Sequence, residues 1–417
     1  MDKKTMTPPE IPAFSPSAAE KIAAFCMYPA AYFYWRFGTS GWGLPIFALI
    51  FTGLTELINR GRKRPAESWV WLGCLWLVVL SISFHRARAW GDVLPYLFAH
   101  LFAVWWVMSR SGRLMAGKSG PLLLLDGLNA FIIFPFRNFF LRLRTVWFTL
   151  THISKRERAR PGTVILTAGA LLAALLLFTA SAGLLISADA GFAALMSGFE
   201  SLFRFRLDDD ALFTLLISLP IGAYLFGLIA GSAREDEARL RGRGEAVYSG
   251  LAVLRRVPNS LWVGIAGLFC LLYLAFFLVQ ARYLFGAFTR TLPDGFIVSQ
   301  YARQGFFELC QVMAVNFLLL WLVTRLSAKP VNESAVLKLL CALLLAESLL
   351  FAAIAFSKLA LYISCFGFTP RRLQSSWLVC VLAAGCVSAL YSLLSGKKSF
   401  RFWLLLSAVS LAFLHLY

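Results

Sequence analysis

Acidic residues are scarce in this chain, with 21 Asp and Glu against 40 Lys and Arg, and charged residues of both signs make up only 15% of it. Soluble globular chains carry about 25% charged residues, so an ordinary water-exposed surface is excluded for most of the polypeptide. Histidine is rarer still: His85, His100, His152 and His415 stand far apart, and none has the spacing of a zinc-binding pair on a helix. The eight cysteines (Cys26, Cys74, Cys270, Cys310, Cys341, Cys365, Cys380 and Cys386) include no C-x-x-C pair and lie mostly inside apolar stretches. There a cysteine acts as a small hydrophobe, so neither a disulfide framework nor a metal site is expected. No cofactor is expected either. Lys3 and Lys4 are followed by polar, Pro-rich sequence rather than a short apolar stretch, which argues against a cleaved signal peptide.

Apolar residues are abundant instead, at 59% of the chain, with 15% aromatics and a mean hydropathy of +0.72. A hydrocarbon core of about 30 Å is crossed by about 20 apolar residues in a helix. Runs of that kind recur at 22–36, 43–59, 69–84, 92–109, 163–187, 211–231, 259–281, 305–326, 337–360, 373–395 and 401–417. They are continuous rather than alternating, which selects helices over barrel strands. The expected fold class is all-α: a polytopic transmembrane bundle of about eleven spans, with a lipid bilayer as its first partner.

The net charge of +19 could point to nucleic acid. The basic residues, however, concentrate in short connectors: Arg60 to Arg64, Arg110 with Arg113 and Lys118, Lys155 to Arg160, Arg234 to Arg256, and Lys397 to Arg401. That is the distribution of the positive-inside rule, and no nucleic-acid partner is expected. A cytoplasmic N-terminus and about eleven crossings put every one of these clusters inside and Tyr417 outside.

Segment 121–153 fits poorly as a span, because Asp126 and Asn129 interrupt it and both flanks are basic. It reads as re-entrant, as an interfacial amphipathic helix, or as a buried connector. The 232–258 loop mixes Arg with Glu and reads as a solvated helical hairpin. The expected organisation is a polar tail at 1–20, a four-span bundle at 21–120, an interfacial or re-entrant segment at 121–160, and a seven-span bundle at 161–417.

Polar residues within the bilayer are costly, about 2.5–3.5 kcal/mol for a charge on insertion scales, so each is a site candidate or half of a structural pair. Tyr301, Gln304, Glu308 and Gln311 fall on one helical face, with Asn316 close to it. Glu347 and Lys358 share a face of the next span. Matching depth across the connector at 327–336 pairs Glu308 with Lys358 and Asn316 with Glu347. Asp294 and Arg303 complete the candidate polar path, and Gly227 with Gly231 form a small-xxx-small pair for close helix packing. Arg282, Arg371 and Arg372, with Arg86 and Arg88, depart from the usual avoidance of Arg in outer loops. They read as a site for an anionic lipid or small molecule, or as side chains snorkelling to headgroups.

The stretch Leu292-Pro293-Asp294-Gly295 through Tyr301-Ala302-Arg303-Gln304-Gly305-Phe306-Phe307-Glu308-Leu309 resembles the signature of a family of bacterial polytopic membrane proteins catalogued as a domain of unknown function. Tyr362-Ile363-Ser364 and Gly367-Phe368-Thr369-Pro370-Arg371-Arg372-Leu373 are similar to a second part of its pattern, with Phe368 where a Leu is expected. The resemblance covers the chain from about residue 210 onward. It implies a bacterial cytoplasmic-membrane location and carries no activity. Three functions are therefore expected in order: a transporter, flippase or channel-like subunit for an anionic envelope substrate; a sensor or scaffold subunit of a larger complex; and a membrane-embedded transferase with Glu308 or Asp294 as base.

Overall fold

The structure is a computed structural model that describes residues 14–39, 41–85, 93–152, 181, 209–289 and 306–416. The expected run at 163–187 and the candidates Asp294, Tyr301, Arg303 and Gln304 lie outside the described residues, as does the side chain of Arg282. Among the described residues the regular structure is helical, apart from one isolated bridge between Val257 and Ser327.

Most of the helices fall on apolar sequence. They are α1 (Ala18–Phe37), α2 (Gly43–Ile58), α3 (Glu67–His85), α4 (Leu94–Ser111), α5 (Leu123–Arg137), α6 (Leu141–Thr151), α7 (Asp209–Arg234), α8 (Glu237–Val253), α9 (Asn259–Thr289), α10 (Phe306–Leu326), α11 (Ala335–Phe366), α12 (Pro370–Ser395) and α13 (Phe400–Leu414). Six of them, α3, α7, α9, α10, α11 and α12, are long and apolar enough to cross a membrane, and α2 and α13 are shorter apolar helices. The 232–258 connector holds one helix, α8, in place of the expected hairpin. The chain is a multi-pass membrane protein.

Local chemistry sets the helix ends. Ser17 and Glu20 form a reciprocal capping box at α1. Asp236 caps α8, Ser334 caps α11, and Pro370 opens α12, where a missing N–H costs nothing. Gly112 and Gly396 end α4 and α12 in the left-handed conformation that glycine adopts without strain.

The chain forms two compact units, each built from two stretches: residues 1–63 with 128–234, and residues 64–127 with 235–417. In the first unit α1 packs along α7 and α2. The Arg234 guanidinium reaches back to Glu20, with Nη2 2.9 Å from Oε2. Phe14 lies under two guanidinium groups, those of Arg144 at 4.1 Å and Arg234 at 4.8 Å. Gly227 and Gly231 let α7 meet the end of α5, as their spacing predicts: a Cβ on Gly227 would stand 2.7 Å from the Pro135 carbonyl oxygen.

The 121–153 segment becomes α5 and α6, bent by 45° at the break between them. The middle of α5, Asn129–Ile133, is a π turn. Pro135 has no N–H for the carbonyl four residues back, and that Phe131 carbonyl accepts the Tyr224 hydroxyl at 2.8 Å. α6 turns Arg142 and Thr145 inward and Phe140, Leu143 and Trp147 outward. Arg142 Nε donates to the Ala24 carbonyl of α1 at 2.9 Å, and Phe148 meets Phe14 edge-on. α6 therefore packs on α1 and α7 with its greasy side outward.

In the second unit α3 packs on α4 and α13, and α11 sits against α9, α10 and α12. Leu268, Leu271, Leu278 and Val279 of α9 stay exposed, which is the lipid-facing surface of a span. Contacts between connectors join segments that the charge pattern places on one side: Arg113 with Glu237, Arg401 with Glu67, and Val257 with Leu326 and Ala328.

Candidate functional site

The intramembrane polar residues converge on three helices of the second unit. Asn316 of α10 is almost wholly buried. Its carbonyl oxygen accepts the Tyr273 hydroxyl of α9 at 2.7 Å, and its amide donates to Ser348 Oγ of α11 at 2.9 Å. Depth counting expected Glu347 there; the partner is the next residue along. One residue turns a helix by about 100°, so Glu347 faces the Cys270 thiol of α9 instead, with Oε2 unpartnered. Lys358 of α11 is completely buried. Glu308 and Gln311 are themselves exposed, whereas Asn316 points inward, so the sequence stripe splits between two directions.

At the C-terminal end of α11, Arg372 folds back over the helix terminus. Its guanidinium donates to the carbonyls of Phe366 (2.7 Å) and Gly367 and stands 4.3 Å above the Tyr362 ring. The orphan carbonyls of a helix end need such donors. Arg371 beside it is exposed. Arg372→Ala is expected to lower stability by about 1–2 kcal/mol through lost charge-assisted hydrogen bonds. Arg372→Lys is expected to recover little, because an ammonium lacks the planar fork. Thermal unfolding of the purified variants in one detergent checks this, and equal midpoints for wild type and Arg372→Ala contradict it.

A partly open cavity of about 690 Å³ lies on the other side of α10 and α11. Ala314, Phe317, Leu320, Trp321 and Thr324 recur along one face of α10, and Leu382, Gly385 and Ala389 of α12 line it opposite. Trp403 of α13 closes one wall: its indole N–H donates to the Val381 carbonyl at 2.9 Å, and a Cβ on Gly385 would come within 3.2 Å of Nε1. The lining is apolar through the spans and turns polar toward the basic connectors, where Arg255, Thr324, Asn332 and Ser392 gather. None of these is among the sequence candidates. The signal that could find them is Gly385 among Ala and Ser residues on α12, small side chains that let Phe317 and Trp403 approach closely.

A second construction joins the basic connectors. The 112–122 loop is pinned by two buried carboxylates: Asp126 Oδ1 accepts the Met115 N–H at 2.9 Å, and Glu67 accepts the Ser119 N–H at 3.1 and 3.2 Å. Trp71 donates its indole N–H to Ser119 Oγ at 3.0 Å, and Arg401 holds Glu67 Oε2 at 2.8 Å.

Six spanning-type helices among the described residues, a greasy outer surface and buried polar contacts between helices define a polytopic helical membrane protein. Residues 72–417 match the family model described as Domain of unknown function (DUF4153), and the chain belongs to that family. The match begins well before residue 210, where the resemblance in the sequence becomes visible, and takes in α3 to α13 nearly whole. No curated protein and no solved structure matches the chain.

Proposed function

We propose that this protein binds an anionic amphiphile of the membrane and handles it as a flippase-like or carrier-like subunit. One observation carries the reading: the 690 Å³ cavity between α10, α11, α12 and α13, apolar within the spans and bearing Arg255 at its polar end. Its volume falls in the range of about 300–1,000 Å³ usual for ligand sites. An acyl chain matches the Phe317, Leu320 and Leu382 walls, and a phosphate or carboxylate head matches Arg255 with Asn332 and Ser392. The positive-inside rule puts that polar end in the cytoplasmic leaflet, and the family resemblance favours a bacterial inner membrane.

The satisfied contacts of Asn316 with Tyr273 and Ser348 favour a second reading, in which the α9–α11 polar groups brace a sensor or scaffold. In the first reading they brace the wall of the cavity. A transferase built on Asp294 and Glu308 has no observation in its favour.

The test is lipid retention. The protein in nanodiscs of mixed zwitterionic and anionic phospholipid is released and its bound lipid counted by native mass spectrometry. Wild type is expected to retain anionic phospholipid preferentially. Arg255→Gln is expected to lose the preference, and Ala389→Phe, which fills the cavity, to lose the bound lipid. Retained lipid that mirrors the bulk composition in all three proteins refutes the reading.

A further inference from the structure

The 112–122 loop carries Gly112-Arg113-Leu114-Met115-Ala116-Gly117-Lys118-Ser119, the glycine, lysine and serine spacing of phosphate-cradling loops. In nucleotide hydrolases such a loop follows a β-strand, and its N–H groups face the phosphates. Here a helix, α4, precedes it, and the protein's own carboxylates already occupy the N–H groups of Met115 and Ser119. This construction spends the loop's backbone donors on Asp126 and Glu67 and leaves the Lys118 side chain exposed.

Lys118 points into a cavity of about 440 Å³ that α8 completes. Arg241, Gly244, Glu245 and Tyr248 line it at helical offsets of one face. Two glycines set its shape. Gly244 lets α8 cross the loop so closely that a Cβ there would stand 2.9 Å from the Met115 carbonyl oxygen. Gly117, at φ +69°, turns the chain left-handed where Arg241 Nη2 stands 4.0 Å from the Cβ position. Arg241 pairs with Glu237 one turn back on α8, and Glu237 also binds Arg113 at 3.4 Å.

We infer that this cavity binds a small soluble phosphate monoester. Lys118 and Arg241 supply a point charge and a planar fork for the phosphate, and the Tyr248 hydroxyl supplies a third donor. Glu245, the one carboxylate on the wall, accepts from a hydroxyl or amino group elsewhere on the ligand. A bare phosphate gains nothing from Glu245; a monoester bearing such a donor does. The site is separate from the cavity that holds Arg255 and does not depend on lipid binding there.

The test uses the full chain in nanodiscs of purely zwitterionic lipid, titrated by calorimetry with inorganic phosphate, adenosine monophosphate and sulfate. Saturable binding is expected for adenosine monophosphate and, more weakly, for phosphate. Lys118→Gln and Arg241→Gln, both at exposed positions, are expected to weaken each at least tenfold. Glu245→Gln is expected to tighten phosphate and weaken adenosine monophosphate. Absence of saturable binding, or affinities unchanged in the Lys118→Gln, Arg241→Gln double variant, overturns the inference. A second arm measures acetylation of Lys118. If anionic lipid in the nanodisc protects it and adenosine monophosphate does not, the site belongs to a lipid headgroup and the inference also fails.

Discussion

Glu67→Ala is expected to destabilise the protein by about 2–4 kcal/mol and to lower its unfolding midpoint by several degrees. Glu67 is 5% exposed and begins α3, where a carboxylate favours the positive end of the helix dipole, an effect of about 0.3–1 kcal/mol. Its larger contribution is to Ser119, itself buried, whose N–H has both Glu67 oxygens as acceptors. Removing the carboxylate leaves that donor without them, at a cost of about 1–3 kcal/mol. The Arg401 contact adds less, because the guanidinium side chain is 44% exposed and can turn to water. The order of damage is therefore Glu67→Ala, then Glu67→Gln, which keeps an acceptor, then Arg401→Ala. Tryptophan fluorescence on heating checks it, since Trp71 donates to Ser119 in the same knot. Arg401→Ala proving the most harmful of the three, or Glu67→Ala unfolding like wild type, contradicts this account of the loop.

Most of the helical skeleton was legible because its signal is solvent matching. A run of apolar residues long enough to span lipid has few other ways to satisfy its backbone; α2, α3, α7, α10, α12 and α13 lie within a few residues of their runs, while α9 and α11 extend past the ends of theirs. The side-chain caps at Ser17 and Ser334 were not among the sequence readings. The polar contacts were read less well. Depth counting brought Asn316 to the right turn of α11 but to Glu347 rather than Ser348, since an error of one position rotates the partner away. The glycine, lysine and serine spacing at 112–119 stands in the sequence, but the carboxylates that pin the loop were not legible. Its acids, Glu67 and Asp126, stand 59 residues apart in sequence numbering and are joined only when α3 and α4 pair. The 690 Å³ cavity is harder still, because its walls come from α10, α11, α12 and α13, which only helix packing brings together. Periodicity reports which residues are greasy and is silent about the space left between them.

Gly227→Leu is expected to prevent the first unit from folding, and Gly227→Ala to cost about 1–3 kcal/mol through overpacking. The distinction from an ordinary helix glycine lies in what a side chain would meet. At Gly227 the nearest atoms are backbone: the carbonyl oxygens of Pro135 and Asn138, at 2.7 and 3.2 Å, and Pro135 Cα at 3.2 Å. They belong to the end of α5 and the break after it, and Tyr224, one turn earlier on α7, holds the π turn of α5 through the Phe131 carbonyl. A methyl group there must push α5 and α7 apart. At Gly231 the obstacle is the Asn138 side chain, 2.5 Å away at Nδ2, tied to the Phe134 carbonyl by one 2.9 Å hydrogen bond. A side chain can swing at the loss of that bond, so Gly231→Ala is expected to be milder than Gly227→Ala. Gly53 of α2 supplies the contrast, with nothing within 4 Å of its Cβ position. Gly53→Ala is expected to be neutral or to stabilise by up to about 1 kcal/mol from helix propensity. Yield of folded, monodisperse protein and unfolding midpoints across Gly53→Ala, Gly231→Ala, Gly227→Ala and Gly227→Leu should fall in that order. An inverted order, with Gly227→Ala as benign as Gly53→Ala, means that α7 does not meet the α5 break through glycine, and the small-residue contact loses its role in the unit.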